Sequence, residues 1–133
     1  MAVVDFLVVE DEEVVALLIE RSIKEVTPKA IVLKCRTGAE ALTALQENEC
    51  RSMILDIGLP DMNGADLLDA AHPKNVTVLT ACDDPDTETR CCNAGATEYV
   101  VKPPDLNDLM DCVRRMVFGI AHTLLERNYR PMT

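Results

Sequence analysis

Short apolar runs alternate along the chain with segments whose apolar positions recur at helical spacing. Val3 to Val9 is the first run, clearest from Phe6 to Val9, and it reads as a buried strand. It stops at Glu10-Asp11-Glu12-Glu13, and Val14, Val15, Leu17, Leu18, Ile19 and Ile23 then follow one helical face. Thr27-Pro28-Lys29 breaks that helix, and Ala30 to Cys35 reads as a second strand. Thr37-Gly38-Ala39-Glu40 has the capping-box form, so a helix is expected to start near Gly38 and to end at Glu47-Asn48-Glu49. Met53 to Leu55 is a short buried strand, cut off by Gly58, Pro60, Asn63 and Gly64. Ala65 to Ala71 forms a short helix before the turn at Pro73-Lys74-Asn75. Val76 to Leu79 is a fourth strand, ending in Thr80-Ala81. Asp86 to Ala94 has weak helical character and few apolar residues, which predicts a mobile helix, and Gly95 suits the position after its end. Tyr99 to Val101 is a fifth strand, ending in Lys102-Pro103-Pro104. Asp105 to Asp108 can cap a last helix, whose apolar stripe from Leu106 to Leu124 carries it to about Arg127. Strand followed by helix five times calls for a parallel sheet with right-handed crossovers and helices on both faces.

At 133 residues the chain fits one domain over residues 1–117 with an extension over 118–133 that continues the last helix. An apolar content of 48% supports a packed core, and scarce aromatics leave it to Val, Leu, Ile and Ala. The formal net charge of −10 disfavours direct binding to nucleic acid or to an anionic membrane, and suits a basic partner or a bound cation. The cysteines at 35, 50, 82, 91, 92 and 112 form no C-x-x-C pair, and no histidines stand at ligand spacing, which argues against a zinc or redox site. Cys35, Cys50, Cys82 and Cys112 lie in or beside apolar segments and are expected to pack as small hydrophobes. Neither a signal peptide nor an apolar run of membrane length is evident, so a reduced cytoplasmic setting is expected.

In a parallel sheet all carboxyl ends share one edge, the edge at which open α/β sheets bind ligands. Glu10, Asp11, Asp56, Thr80 and Lys102 each lie at or just past a strand end. Three carboxylates there repel, at about 4 kcal/mol per pair for ~4 Å separation and an effective dielectric near 20. One lysine cannot neutralise three acids, so a divalent cation is expected to complete the group. Oxygen donors without sulfur or imidazole point to Mg2+. A metal ion, a hydroxyl and a lysine around one free carboxylate make a site for phosphoryl transfer, with the aspartate attacking phosphorus.

These stretches, Val8-Val9-Glu10-Asp11-Glu12, Leu55-Asp56 through Asn63-Gly64, Leu79-Thr80-Ala81 and Gly95 through Lys102-Pro103, together resemble the receiver domain of two-component response regulators. The resemblance runs from Phe6 to about Val117 and points to a chemotaxis-type single-domain member. It implies the flavodoxin-like strand order 2-1-3-4-5. It further implies that Asp56 accepts a phosphoryl group from a phosphohistidine on a sensor histidine kinase or histidine phosphotransfer protein. Asp11, Asp56 and the backbone carbonyl of Gly58 are then the direct Mg2+ ligands, with Glu10 acting mainly through water. Glu10 stands where the family often has aspartate. Thr80 and Lys102 bind phosphoryl oxygens, and the Lys102–Pro103 bond is expected to be cis. Tyr99 occupies the place of the family's switching aromatic, which turns inward as Thr80 moves and changes the surface offered to a downstream protein partner.

Two departures stand out. The segment from Gly64 to Pro73 is short for the family and leaves room for about two helical turns. The extended last helix suits either a homodimer contact or a cover over the chain's own apolar surface. Other functions fit less well. An aspartyl-phosphate hydrolase calls for D-x-D, and Gly58 stands where its second aspartate belongs; a flavin carrier calls for a Ser/Thr/Gly-rich loop where four acids follow the first strand. A degenerate receiver used as a constitutive interaction module, or a receiver cut from a longer output-domain protein, are the nearer alternatives.

Overall fold

The computed structural model describes residues 1–128, with side chains through Leu124. Its strands are β1 (Ala2–Val4), β2 (Phe6–Val9), β3 (Val32–Cys35), β4 (Asn48–Cys50), β5 (Met53–Leu55), β6 (Val76–Thr80) and β7 (Glu98–Val101). Its helices are α1 (Glu13–Val26), α2 (Gly38–Glu47), α3 (Gly64–Ala71), α4 (Pro85–Asn93) and α5 (Leu106–Asn128).

The central sheet is parallel with order β3-β2-β5-β6-β7. Counting only these five strands, that is the flavodoxin-like order 2-1-3-4-5. Successive residues of each strand face opposite layers. Leu7, Val9, Met53, Leu55 and Val78 pack with Ala41, Ala44, Leu67, Leu68 and Cys91 of α2, α3 and α4. Phe6, Val8, Ile54 and Leu79 pack with Val15, Ile19 and Ile23 of α1 and with Val113, Met116 and Val117 of α5. Both sheet faces are covered, so the strands carry nearly unbroken apolar runs.

The first apolar run is two strands rather than one. The amides of Asp5 and Phe6 both donate to the carbonyl of Ile31, at 2.9 and 3.1 Å, and this sideways step divides the run. Before the step, β1 pairs in parallel with β4, in a register that sets Val4 opposite Cys50. The Asn48-Glu49 stretch therefore forms a strand after ending α2. The second strand also starts later than its hydropathy suggests, at Val32, because Ile31 and Ala30 belong to the turn beside Asp5.

Helix α3 has the short length the sequence predicts, and its start is forced close to the chain before it. A Cβ on Gly64 would lie 2.6 Å from the Cα of Ile57, so only glycine fits without displacement. Helix α4 buries only Cys91 among its residues, and Gly95 beyond it takes φ +110°. Helix α5 runs past Val117 to Asn128. Ile120 and Leu124 in that stretch are buried against the Phe6 side of the core, while Phe118 is exposed. Residues 129–133 of the expected extension lie outside the described residues. The cis geometry expected at Lys102–Pro103 is not found, as no described peptide bond is cis. The trans form is the favoured one even before proline, by about 0.5–1 kcal/mol.

Candidate functional site

Backbone ladders fix each strand end. Leu55 stands opposite Val9 and Val78, and the amide of Asp56 donates to the Val9 carbonyl at 3.0 Å. The Glu10 amide donates to Cys35 at 2.9 Å, and the Lys102 amide donates to Thr80 at 2.7 Å. Glu10, Asp11, Asp56, Thr80 and Lys102 therefore arrive at one edge because four neighbouring strands end there.

The side chains meet. Lys102 Nζ donates to Glu10 Oε1 at 2.6 Å and to Asp56 Oδ2 at 2.9 Å. Asp56 Oδ1 accepts from the Gly58 amide at 3.1 Å. Glu10 Oε2 accepts from the Glu12 amide at 3.3 Å, and Thr80 Oγ1 accepts from the Cys82 amide at 3.4 Å. Glu10 is 3% exposed, Thr80 4% and Asp56 8%, so the floor of the pocket is buried, with Asp11 more open at its rim. Glu10, Asp11 and Asp56 each present a carboxylate oxygen within 4.8 Å of the others. This donor set is all hard oxygen, with the carbonyl of Gly58 two residues from Asp56 in the chain, and it suits Mg2+ rather than a softer metal.

Electrostatics separate the two buried acids. Burial pushes the Glu10 carboxyl up to about 7, with the negative charge of Asp56 adding to it and the Lys102 ammonium opposing it. Burial also acts to raise Asp56, but the hydrogen bonds from Lys102 and from the Gly58 amide outweigh it and hold that carboxyl below its ordinary range. Lys102 is disfavoured by burial, yet its two carboxylate partners hold its ammonium above the usual range. Asp56 is thus the anion of the pair, and Glu10 is the group that keeps a proton most readily.

Tyr99 stands apart from the carboxylates. Its hydroxyl donates to the carbonyl of Cys82 at 2.6 Å, and its ring is half-buried against the α4 side of the core. Burial, the largest influence, holds its phenol above the ordinary range. Glu10 lies against Lys102 directly, a contact that sequence reasoning did not anticipate. Asp61 was also missed: its carboxylate accepts from the Gly38 and Ala39 amides at the start of α2. In the sequence it is one more polar residue in a turn, with no periodicity to flag a partner more than twenty positions away.

The family described as the response regulator receiver domain matches residues 6–114. Among curated relatives, the response regulator GacA of Pseudomonas protegens is 26% identical over 94% of this chain and 64% of its own length. The transcriptional regulatory protein KdpE of Mycobacterium tuberculosis is 37% identical over 65% of this chain and 39% of its own. The chain thus spans less than two thirds of these relatives. Among solved structures, a response regulator receiver domain from Rhodospirillum rubrum is 25% identical with a TM-score of 0.78, covering 90% of this chain and 94% of that one. The Mn2+-bound form of response regulator Rcp1 is also 25% identical with a TM-score of 0.78, covering 99% of this chain and all of its own. No described helix is long and apolar enough to cross a membrane. Receiver domains are signalling modules of two-component systems, without turnover of external substrates. They generally bind Mg2+ at an acidic pocket and work with histidine kinases or phosphotransfer proteins and with downstream effectors. On the family match and the strand-end site together, this chain belongs to the response regulator receiver domain family.

Proposed function

We propose that Asp56 takes a phosphoryl group from the phosphohistidine of a kinase or phosphotransfer protein, and that this changes the partner-binding surface around Tyr99. The observation that carries the reading is the buried Asp56 carboxylate, paired with Lys102 at 2.9 Å, with two further carboxylates beside it. Asp11, Asp56 and the Gly58 carbonyl would hold Mg2+, with Glu10 reaching it through water; the Mn2+-bound relative Rcp1 supports a divalent cation here. The bound ion supplies positive charge to the oxygens of the transferring group.

The protein's own part is positional. Asp56 is kept ionised and aimed, and its oxygen bonds to phosphorus as the phosphorus–nitrogen bond of the donor breaks. Lys102 neutralises charge on one phosphoryl oxygen, and the Thr80 hydroxyl donates to another. Cys82 ties this event to the surface. Its amide meets Thr80 Oγ1 and its carbonyl accepts from Tyr99, so a turn of Thr80 toward phosphate releases one side of the residue whose other side Tyr99 holds. The face made by α4, β7 and α5 then differs between two packings of similar stability.

The chain acts on itself rather than turning over an external substrate. A cytoplasmic setting, a protein partner downstream, and a homodimer through α5 with exposed Phe118 belong to the same reading. The experiment is incubation with Mg2+ and a small phosphodonor, followed by mass measurement. The expected result is a gain of one phosphoryl group, absent in Asp56→Asn and without metal. Labelling of Asp56→Asn at the wild-type rate would place the acceptor elsewhere.

A further inference from the structure

We propose that Asp61 is a positioning residue for the metal pocket, clasping the loop that carries Gly58 to the first turn of α2. The inference rests on the Gly58 carbonyl being a metal ligand.

Residues 56–63 join β5 to α3. The two stems of this loop close on each other, through the antiparallel bridge between Gly58 and Asn63 and a 2.8 Å bond from the Gly64 amide to the Ile57 carbonyl. Asn63 then caps α3, accepting from the Ala65 amide at 2.8 Å. Asp61, at the loop's tip, reaches a different element. Its Oδ1 accepts from the Gly38 amide at 2.8 Å and its Oδ2 from the Ala39 amide at 2.9 Å. Met62 follows across the same contact, and a Cβ on Gly38 would run into its side chain.

Helix α2 does not need Asp61 for its own cap. Thr37 Oγ1 already accepts from the Glu40 amide at 3.1 Å, and Glu40 Oε2 reaches back to the Arg36 amide at 2.7 Å. That reciprocal box leaves the Gly38 and Ala39 amides as free donors of the first turn. Asp61 takes both, and they draw its carboxyl below the ordinary range. A carboxylate on two amides sets both the distance and the rotation of the loop tip. The loop is thereby held at its two stems and at its tip, and the Gly58 carbonyl has one direction in which to point. Supporting partners of this kind act on metal affinity through the ligand they orient.

The test compares wild type with Asp61→Ala, Asp61→Asn and Thr37→Ala. Thr37→Ala weakens the same helix end and leaves the loop alone. Mg2+ affinity is measured by calorimetric titration, and amide exchange at Gly38 and Ala39 is followed with and without the ion. Asp61→Ala is expected to weaken Mg2+ binding about tenfold, with Asp61→Asn in between because it keeps one acceptor. Thr37→Ala is expected to lower thermal stability and to leave Mg2+ affinity as it was. By reciprocity, Mg2+ slows exchange of the Gly38 and Ala39 amides in the wild type. Wild-type Mg2+ affinity in Asp61→Ala, or an equal loss in Thr37→Ala, overturns the clasp. If the wild type itself binds no Mg2+, the pocket assignment falls and takes the clasp with it.

Discussion

The two edges of the same sheet both carry ionic groups, and they are built differently. At the amino-terminal edge one arginine meets one aspartate. Asp5 Oδ1 accepts from Arg51 at 3.0 Å, Oδ2 accepts from the Ile31 amide at 2.8 Å, and its carbonyl accepts from Ser52 Oγ at 2.6 Å. Charge and hydrogen bonds there are complete. At the carboxyl-terminal edge Lys102 faces Glu10 and Asp56, with Asp11 beside them. That edge is more deeply buried and remains short of positive charge. Folding alone favours the first arrangement, because unpaired buried charge costs stability. The second makes sense as a site whose balance is completed by what it binds, and stability is what such sites give up.

The largest expected effect comes from taking away Lys102, the cation paired with Glu10 and Asp56. Lys102→Met should destabilise the metal-free protein by about 3 kcal/mol in chemical denaturation, because two buried carboxylates lose their partner. Equal stability in the two proteins would mean that the pair contributes nothing to the fold.

Next is pH. The Glu10 carboxyl sits near 7 in the folded protein, above its ordinary value of 4.5, so the native state holds a proton that the unfolded chain has released. The associated stability is full below the unfolded value and is lost as pH rises through about 7. The loss between about pH 5 and pH 8 should be on the order of 3 kcal/mol without metal. Asp56 and Asp61 are shifted the other way, so their contributions fade only as pH falls into the carboxylate range and do not mask this window. Glu10→Gln should flatten the denaturation profile there. An unchanged slope would show that Glu10 is already ionised.

The smallest effects have opposite signs at the two edges. Asp5→Ala leaves the Ile31 amide and Arg51 without their carboxylate, and should cost about 1–2 kcal/mol while leaving Mg2+ affinity unchanged. Asp11→Asn removes the charge of one of three crowded carboxyl groups, and should raise metal-free stability by about 1 kcal/mol while weakening Mg2+ binding. If both substitutions destabilise alike, the contrast between the edges is wrong.

The unbalanced edge was legible in the sequence because each of its residues ends an apolar run. Glu10, Asp56, Thr80 and Lys102 are marked by the abrupt change after Val9, Leu55, Leu79 and Val101, and a parallel sheet gathers such positions whatever the loops do. The balanced edge was not legible. Asp5 interrupts an apolar run without changing its hydropathy enough to split it, and its partners Ile31, Arg51 and Ser52 are distant in the chain. Strand β4 was hidden in a polar stretch, since β1 recruits it through backbone bonds rather than side chains. The contacts of Asp61 with α2 and of Tyr99 with Cys82 escaped for the same reason. A carboxylate or phenol meeting a backbone group leaves no pattern in either segment. The trans Lys102–Pro103 bond departs from a family habit, and the small energy between isomers gave the sequence little say.

The most direct test of the central claim, that the carboxyl-terminal edge is one divalent cation short of balance, is a calorimetric titration of the wild-type protein with Mg2+ near neutral pH in buffers of different ionisation heat. One saturable site is expected, much weakened in Asp11→Asn, with fractional proton release that disappears in Glu10→Gln. Absence of saturable binding in the wild type, or binding that survives Asp11→Asn unchanged, would contradict it.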